Sequence, residues 1–162
     1  MVPDGAESED TAGVGPRAYP ASATPDGHEG KEGGHGGPPL RVLLADDHEI
    51  VREGLRSLLR DEHDIEVVGE AANGREAVDL AGRLKPDVIV MDVSMPLIEG
   101  DDATRQIKMY LPRTRVIALS MYDQAEKREA MYRAGAERYI LKTAPAEELL
   151  AAIRDRAHAA VE

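Results

Sequence analysis

Five side chains suited to phosphate chemistry sit at or just past the ends of short apolar runs. Asp46 and Asp47 follow Val42-Leu43-Leu44-Ala45, Asp92 follows Val88-Ile89-Val90-Met91, Ser120 closes Val116-Ile117-Ala118-Leu119, and Lys142 follows Tyr139-Ile140-Leu141. Three carboxylates brought into one crevice repel unless a cation lies among them, and hard oxygen donors suit Mg²⁺ or Mn²⁺. A lysine ammonium and a serine hydroxyl beside them can neutralise the oxygens of a phosphoryl group. Transfer of that group requires in-line positioning and charge stabilisation, and a carboxylate can itself be the nucleophile, giving an acyl phosphate. Asp92, in the middle of the set, is the expected nucleophile. A lone acid at a loop start is commonly no more than a helix cap. The weight therefore rests on several run ends bearing matched groups, not on any one of them.

These residues converge only if the apolar runs are strands of one sheet. From Leu40 onward, runs of strand length alternate with amphipathic stretches of helical length, the pattern of a parallel sheet covered on both faces. Strands are expected over 41–45, 65–71, 87–91, 115–120 and 138–141, several almost wholly apolar, as doubly covered strands are. The stripes Val51, Leu55, Leu58, Leu59 and Ala77, Leu80, Ala81, Leu84 predict two of the helices. Asn73 with Glu76, and Asp123 with Glu126, have capping-box spacing; Gly135 suits a C-terminal cap, Lys85-Pro86 ends a helix, and Pro145 suits a first helical position. A last helix is expected from Ala146 to about His158, turning Leu149, Leu150, Ile153 and Ala157 inward. Right-handed crossovers then give an α/β fold, a doubly wound five-stranded parallel sheet in the order 2-1-3-4-5. Its switch point, between strands 1 and 3, is the expected ligand crevice.

The chain of 162 residues fits one domain with a tail. Residues 1–39 are a Gly/Pro-rich acidic stretch, expected to be disordered because it cannot bury enough apolar area to offset its ordering entropy. His28 and His35 are read as linker residues. The domain is expected over 40–158, with 159–162 as the C-terminal end. The formal charge of -11 disfavours direct nucleic-acid binding through a basic footprint. The absence of Phe and Trp removes stacking platforms for bases, and the absence of Cys removes disulfides and thiolate chemistry. With neither a spanning run nor a signal-like start, a cytoplasmic, non-membrane protein is expected.

Val42 to His48, Asp87 to Pro96, Leu119-Ser120 and Tyr139 to Lys142 together resemble the receiver domain of two-component response regulators, a flavodoxin-like fold, from Leu40 to about His158. Asp46-Asp47-His48, Val67-Val68-Gly69-Glu70-Ala71 and Arg133-Ala134-Gly135-Ala136 resemble the LuxR/NarL-like subfamily, whose helix-turn-helix output module has no counterpart in this sequence. The resemblance implies that Asp92 is the phospho-acceptor, receiving phosphate from a histidine kinase or a small phosphodonor. It implies that Asp47, Asp92 and the Ser94 backbone carbonyl ligate Mg²⁺ and that Asp46 holds metal-bound water. Ser120 and Lys142 would contact the phosphoryl group, and Tyr139 would be an aromatic switch that moves with Ser120. A cognate histidine kinase, an output partner on the face of helix 4, strand 5 and helix 5, and a homodimer on phosphorylation are implied as well. Such a receiver phosphorylates and dephosphorylates itself and does not turn over outside substrates.

His48 is expected to start a helix and not to ligate metal. Leu97, where many relatives carry Gly, is expected to stiffen its loop or forbid a positive φ. Met121 is expected to restrict access to the phosphate, and the resemblance places Ser94 and Tyr122 at positions that in that family tune phosphate lifetime. Three other readings share these residues: a receiver fragment of a LuxR-type DNA-binding regulator, a phosphorylation-independent interaction module, and an aspartate-nucleophile phosphatase. The last is disfavoured because Ser94 stands where such enzymes carry a second acid.

Overall fold

Strands covered on both faces need apolar side chains in both directions, and Val42, Leu43, Leu44, Ile89, Val90, Ile117 and Ala118 supply them, all at most 1% exposed. The computed structural model describes residues 15–20 and 37–155. Its strands are β1 Arg17–Ala18, β2 Leu40–Ala45, β3 Ile65–Ala71, β4 Val88–Asp92, β5 Arg115–Ser120 and β6 Arg138–Leu141. Its helices are α1 Glu49–Arg60, α2 Gly74–Leu84, α3 Gly100–Tyr110, α4 Ala125–Ala134 and α5 Ala146–Arg154.

The sheet runs β1-β3-β2-β4-β5-β6, parallel throughout except that β1 pairs antiparallel with β3. The five parallel strands keep the expected 2-1-3-4-5 order, with β2 starting one residue earlier and β4 displaced one residue forward. Alternate side chains divide the core into two layers. Leu43, Ile89, Met91 and Val116 pack with Leu80, Ile107 and Met131 from α2, α3 and α4. Leu44, Val90, Ile117 and Leu119 pack with Leu59, Leu149 and Ile153 from α1 and α5. No helix among the described residues is long and apolar enough to cross a membrane.

The structure differs from the expectations at several helix ends and before Leu40. Asn73 caps α2 by accepting from the Glu76 amide, but Glu76 reaches back to the Ala72 amide, one residue past the cap residue that a reciprocal box would use. The Asp123–Glu126 box does not form: Gln124 is the N-cap of α4 without a side-chain bond, and Asp123 pairs with Arg128 instead. Pro145 stands at the N-cap of α5, and that helix ends at Arg154 because Asp155 leaves helical geometry (φ -74, ψ 80). Ala157, His28 and His35 lie outside the described residues. Leu97 takes φ 68 at 77% exposure, so a side chain did not prevent the left-handed turn after β4. Within the stretch expected to lack order, Arg17 and Ala18 add a strand opposite Glu70 and Gly69.

Candidate functional site

β2 and β4 are adjacent and parallel, with Ala45 opposite Met91, so both chains leave the sheet at the same edge and deliver Asp46 and Asp92 side by side. Asp46 and Asp92 are buried, at 1% and 4% exposure, while the Asp47 side chain is 28% exposed at the mouth. One ligand atom from each of Asp46, Asp47, His48 and Asp92 lies within 4.8 Å of all the others. Lys142 enters from the end of β6, where its amide donates to the Ser120 carbonyl at 2.7 Å. Its ammonium sits 2.6 Å from Asp46 Oδ2 and 3.3 Å from Asp92 Oδ1.

Electrostatics follow from that crowding. Burial pushes the Asp92 carboxyl up, the Asp46 charge adds to the rise, and Lys142 only partly offsets them, leaving it at about 6. Burial alone would weaken the Lys142 ammonium, yet its contacts with Asp46 and Asp92 hold its pKa above the ordinary lysine value. Asp46 Oδ2 is buried and accepts no well-directed hydrogen bond despite its closeness to Lys142. Three carboxylates gathered around one ammonium, one of them resisting ionisation, are what a hard divalent cation relieves, so the donor set fits one.

His48 occupies the N-cap of α1, as expected, but makes no side-chain cap. Its Nδ1 lies 3.2 Å from Asp46 and 3.1 Å from Asp47, so it belongs to the cluster spatially. The Ser94 amide donates to Asp92 Oδ1 at 3.3 Å, and its hydroxyl accepts from Lys127 of α4 at 2.7 Å. Ser120 Oγ donates to the Tyr122 carbonyl at 2.9 Å, and Tyr139 reaches the same oxygen at 2.9 Å. Arg128 lies over the Tyr139 ring, 5.4 Å from its centre. Met121 and Tyr122 are exposed at the rim.

Two supporting residues escaped the sequence reading. Lys127 carried no signal beyond its charge. Arg52 did carry one: it falls on the helical stripe with Leu55 and Leu59, and a cation on a buried face calls for partners. It is 4% exposed and donates to the Asp46 carbonyl at 2.5 Å.

A parallel sheet with acids at its switch point and a lysine at the last strand defines a class, and comparison with known proteins agrees. The family model for the response regulator receiver domain matches residues 42–154, and the chain belongs to that family. It is a receiver domain of two-component signalling. Response regulator protein VraR of Staphylococcus saprophyticus is 42% identical over 116 residues, which cover 72% of this chain and 56% of that protein. VraR of Staphylococcus aureus is 44% identical over 115 residues, covering 71% and 55%. The chain thus spans about half the length of these curated relatives. Among solved structures, the response regulator domain of CheB from Thermotoga maritima gives a TM-score of 0.68 at 36% identity, covering 76% of this chain and 98% of that one. A LuxR-family response regulator from Aurantimonas gives 0.69 at 36% identity, covering 75% and 86%.

Proposed function

We propose that Asp92 accepts a phosphoryl group from a cognate histidine kinase in a divalent-cation-dependent reaction, and that the acyl phosphate re-forms the α4-β6-α5 face for a protein partner. The observation that carries this reading is the placement of Asp92, a buried carboxylate 3.3 Å from the Lys142 ammonium and clustered with Asp46 and Asp47.

Ser94 and Lys142 both contact Asp92 Oδ1, which leaves the other oxygen free to bond phosphorus. As that O–P bond forms, the P–N bond of the donor phosphohistidine breaks and its electron pair leaves with the imidazole. With a small acyl phosphate as donor, a P–O bond breaks instead. Asp47, Asp92 and the Ser94 carbonyl would hold Mg²⁺ or Mn²⁺, with Asp46 holding its water. The bound ion would supply charge neutralisation for the phosphoryl oxygens and the crowded acids. Lys142 turns from Asp46 to a phosphoryl oxygen, and Ser120 turns from the Tyr122 carbonyl to another. Tyr139, tied to that same carbonyl, carries the change to β6.

Turnover of outside substrates is not expected, because Ser94, two residues after the nucleophile, offers no carboxyl to protonate a leaving group. The coverage of only about half of each relative supports a second reading of the whole protein, in which this receiver governs a LuxR-type DNA-binding module. Pairing of two copies on phosphorylation and a cytoplasmic setting belong to the same proposal.

The test is incubation with acetyl phosphate and Mg²⁺ followed by peptide mass spectrometry. A phosphate adduct at Asp92, absent in Asp92→Asn and in the presence of EDTA, is expected. No adduct on the wild type, or an undiminished one on Asp92→Asn, would overturn the assignment.

A further inference from the structure

The outer edge of β3 would present unpaired amides and carbonyls to solvent, and edges of that kind are usually blunted or covered. Here Arg17–Ala18 covers it, opposite Glu70 and Gly69. The seat is shaped for a close approach. The pairing of β3 with β2 skips Val68, passing from Val42–Val67 to Leu43–Gly69, and the Val68 carbonyl accepts from the Tyr19 amide at 2.8 Å. A Cβ on Gly69 would stand 2.7 Å from the Arg17 carbonyl oxygen and 2.9 Å from Leu84 Cδ1; the Leu84 side chain can rotate aside but the Arg17 backbone cannot, so a side chain there would push the segment away.

From this seat Tyr19 reaches inward. Its hydroxyl donates to Glu70 Oε2, which also takes Arg56 at 2.6 Å. The other Glu70 oxygen takes Arg52 Nε at 3.3 Å, and Arg52 Nη1 donates to the Asp46 carbonyl at 2.5 Å. Arg52 and Glu70 are each 4% exposed. Burial would raise the Glu70 carboxyl, but the hydrogen bonds from Tyr19 and Arg56 and the charges of Arg56 and Arg52 hold it below its usual range. In a low-dielectric setting such bonds are directional and polarise one another, so loosening one member loosens the next.

We infer that Arg17 to Tyr19 form a positioning strap for the acidic site, with Tyr19 as a positioning residue, so that strap docking and cation binding at Asp46, Asp47 and Asp92 favour each other. The inference rests on the cation reading proposed above. Outer partners of metal ligands commonly alter affinity by about 10–100-fold. Tyr19 acts at one further remove, through Glu70 and Arg52, and an effect of about three- to tenfold follows. Coupling is reciprocal, so a saturating cation must stabilise the docked strap by the same factor.

The experiment uses the full chain and Mg²⁺ alone, titrated while backbone amide shifts are followed by NMR. Tyr19→Phe keeps the ring and the strand pairing but removes the hydroxyl; it is expected to weaken Mg²⁺ binding about three- to tenfold. Gly69→Ala, which evicts the strap through its backbone, is expected to weaken binding at least as much. In the wild type, hydrogen exchange at the Tyr19 amide is expected to slow on adding Mg²⁺ by at least the factor lost in Tyr19→Phe. Normal wild-type Mg²⁺ binding with an unchanged Tyr19→Phe affinity and Mg²⁺-insensitive Tyr19 exchange would overturn the inference alone, leaving the strap an edge cover. A wild type that takes up no Mg²⁺ would overturn the cation reading and this inference with it.

Discussion

The hydroxyls of Ser120 and Tyr139, on adjacent strands, both donate to the Tyr122 carbonyl, each at 2.9 Å. One oxygen with two lone pairs is thereby shared between a proposed phosphate-contacting residue and a proposed switch residue. If Ser120 turns to the phosphoryl group, Tyr139 keeps the carbonyl satisfied, so the turn leaves no unpaired acceptor behind. Hydrogen bonds to charged groups contribute about 1.5–3 kcal/mol, so Ser120→Ala should slow Asp92 labelling by acetyl phosphate by roughly 10–100-fold. Tyr139→Phe should leave labelling within about threefold and instead alter the amide signals of residues 121–124 on phosphorylation. Time-resolved mass spectrometry and amide NMR of both variants separate the roles; equal loss of labelling in the two would contradict the division.

Asp92 gives the cation-free protein a pH dependence of defined sign. Its carboxyl is raised from 3.8 to about 6, so the folded state holds this proton more tightly than the unfolded chain. The stability this group contributes is fully present below 3.8 and is lost as pH rises through about 6. Asp92→Asn stays neutral at every pH. In EDTA at pH 7.5 it should exceed the wild type in urea-unfolding stability by roughly 1–3 kcal/mol, a gain that disappears toward pH 4. Because each comparison is made at one pH, carboxylates remote from the site cancel, and the gain includes the relief of Asp46 from the Asp92 charge. The same titration predicts that Mg²⁺ affinity falls as pH drops below about 6, since the proton and the cation compete for one carboxylate. A variant no more stable than the wild type at pH 7.5 would show that the crowding of Asp46 and Asp92 is relieved in solution.

The order of the five parallel strands, and with it the shared edge to which strand ends bring Asp46, Asp47, Asp92, Ser120 and Lys142, was legible in the sequence because it depends on local pattern. Apolar run length fixes which segments are doubly covered, and right-handed crossovers fix which ends share an edge. Features set by tertiary contact were not legible. Asp123 has the spacing of a helix cap, but Arg128 lies one helical turn into α4 and takes it as an ion-pair partner. Leu97 has a side chain that disfavours positive φ by about 1–2 kcal/mol, yet the loop between Pro96 and Gly100 is held by bonds from the Ile98 amide to Pro96 and from the Gly100 amide to Val93. Arg17 to Tyr19 are three residues between Pro16 and Pro20, too short a run to predict a strand, and their order comes from a β3 edge that no local pattern reveals.

Gly100 ties the fold to the site through space alone. It opens α3, and a Cβ placed there would meet the Asp92 carbonyl oxygen at 2.3 Å, the Val93 Cα at 2.9 Å and the Val93 carbonyl oxygen at 3.0 Å. All three are backbone atoms, so no side chain can rotate out of the way, and either α3 or the end of β4 must shift. Overpacking of this kind costs roughly 1–3 kcal/mol. Because the atom struck belongs to Asp92, Gly100→Ala should also slow phosphorylation beyond what its loss of stability explains. Gly82, inside α2 with nothing within 4 Å of its would-be Cβ, provides the opposite sign from the same chemical change. Gly82→Ala should stabilise by about 0.5–1 kcal/mol through helix propensity and leave labelling untouched. Urea unfolding and acetyl phosphate time courses on the two variants test the pair. Normal labelling in a folded Gly100→Ala would mean that the end of β4 absorbs the added methyl without moving the Asp92 carboxylate.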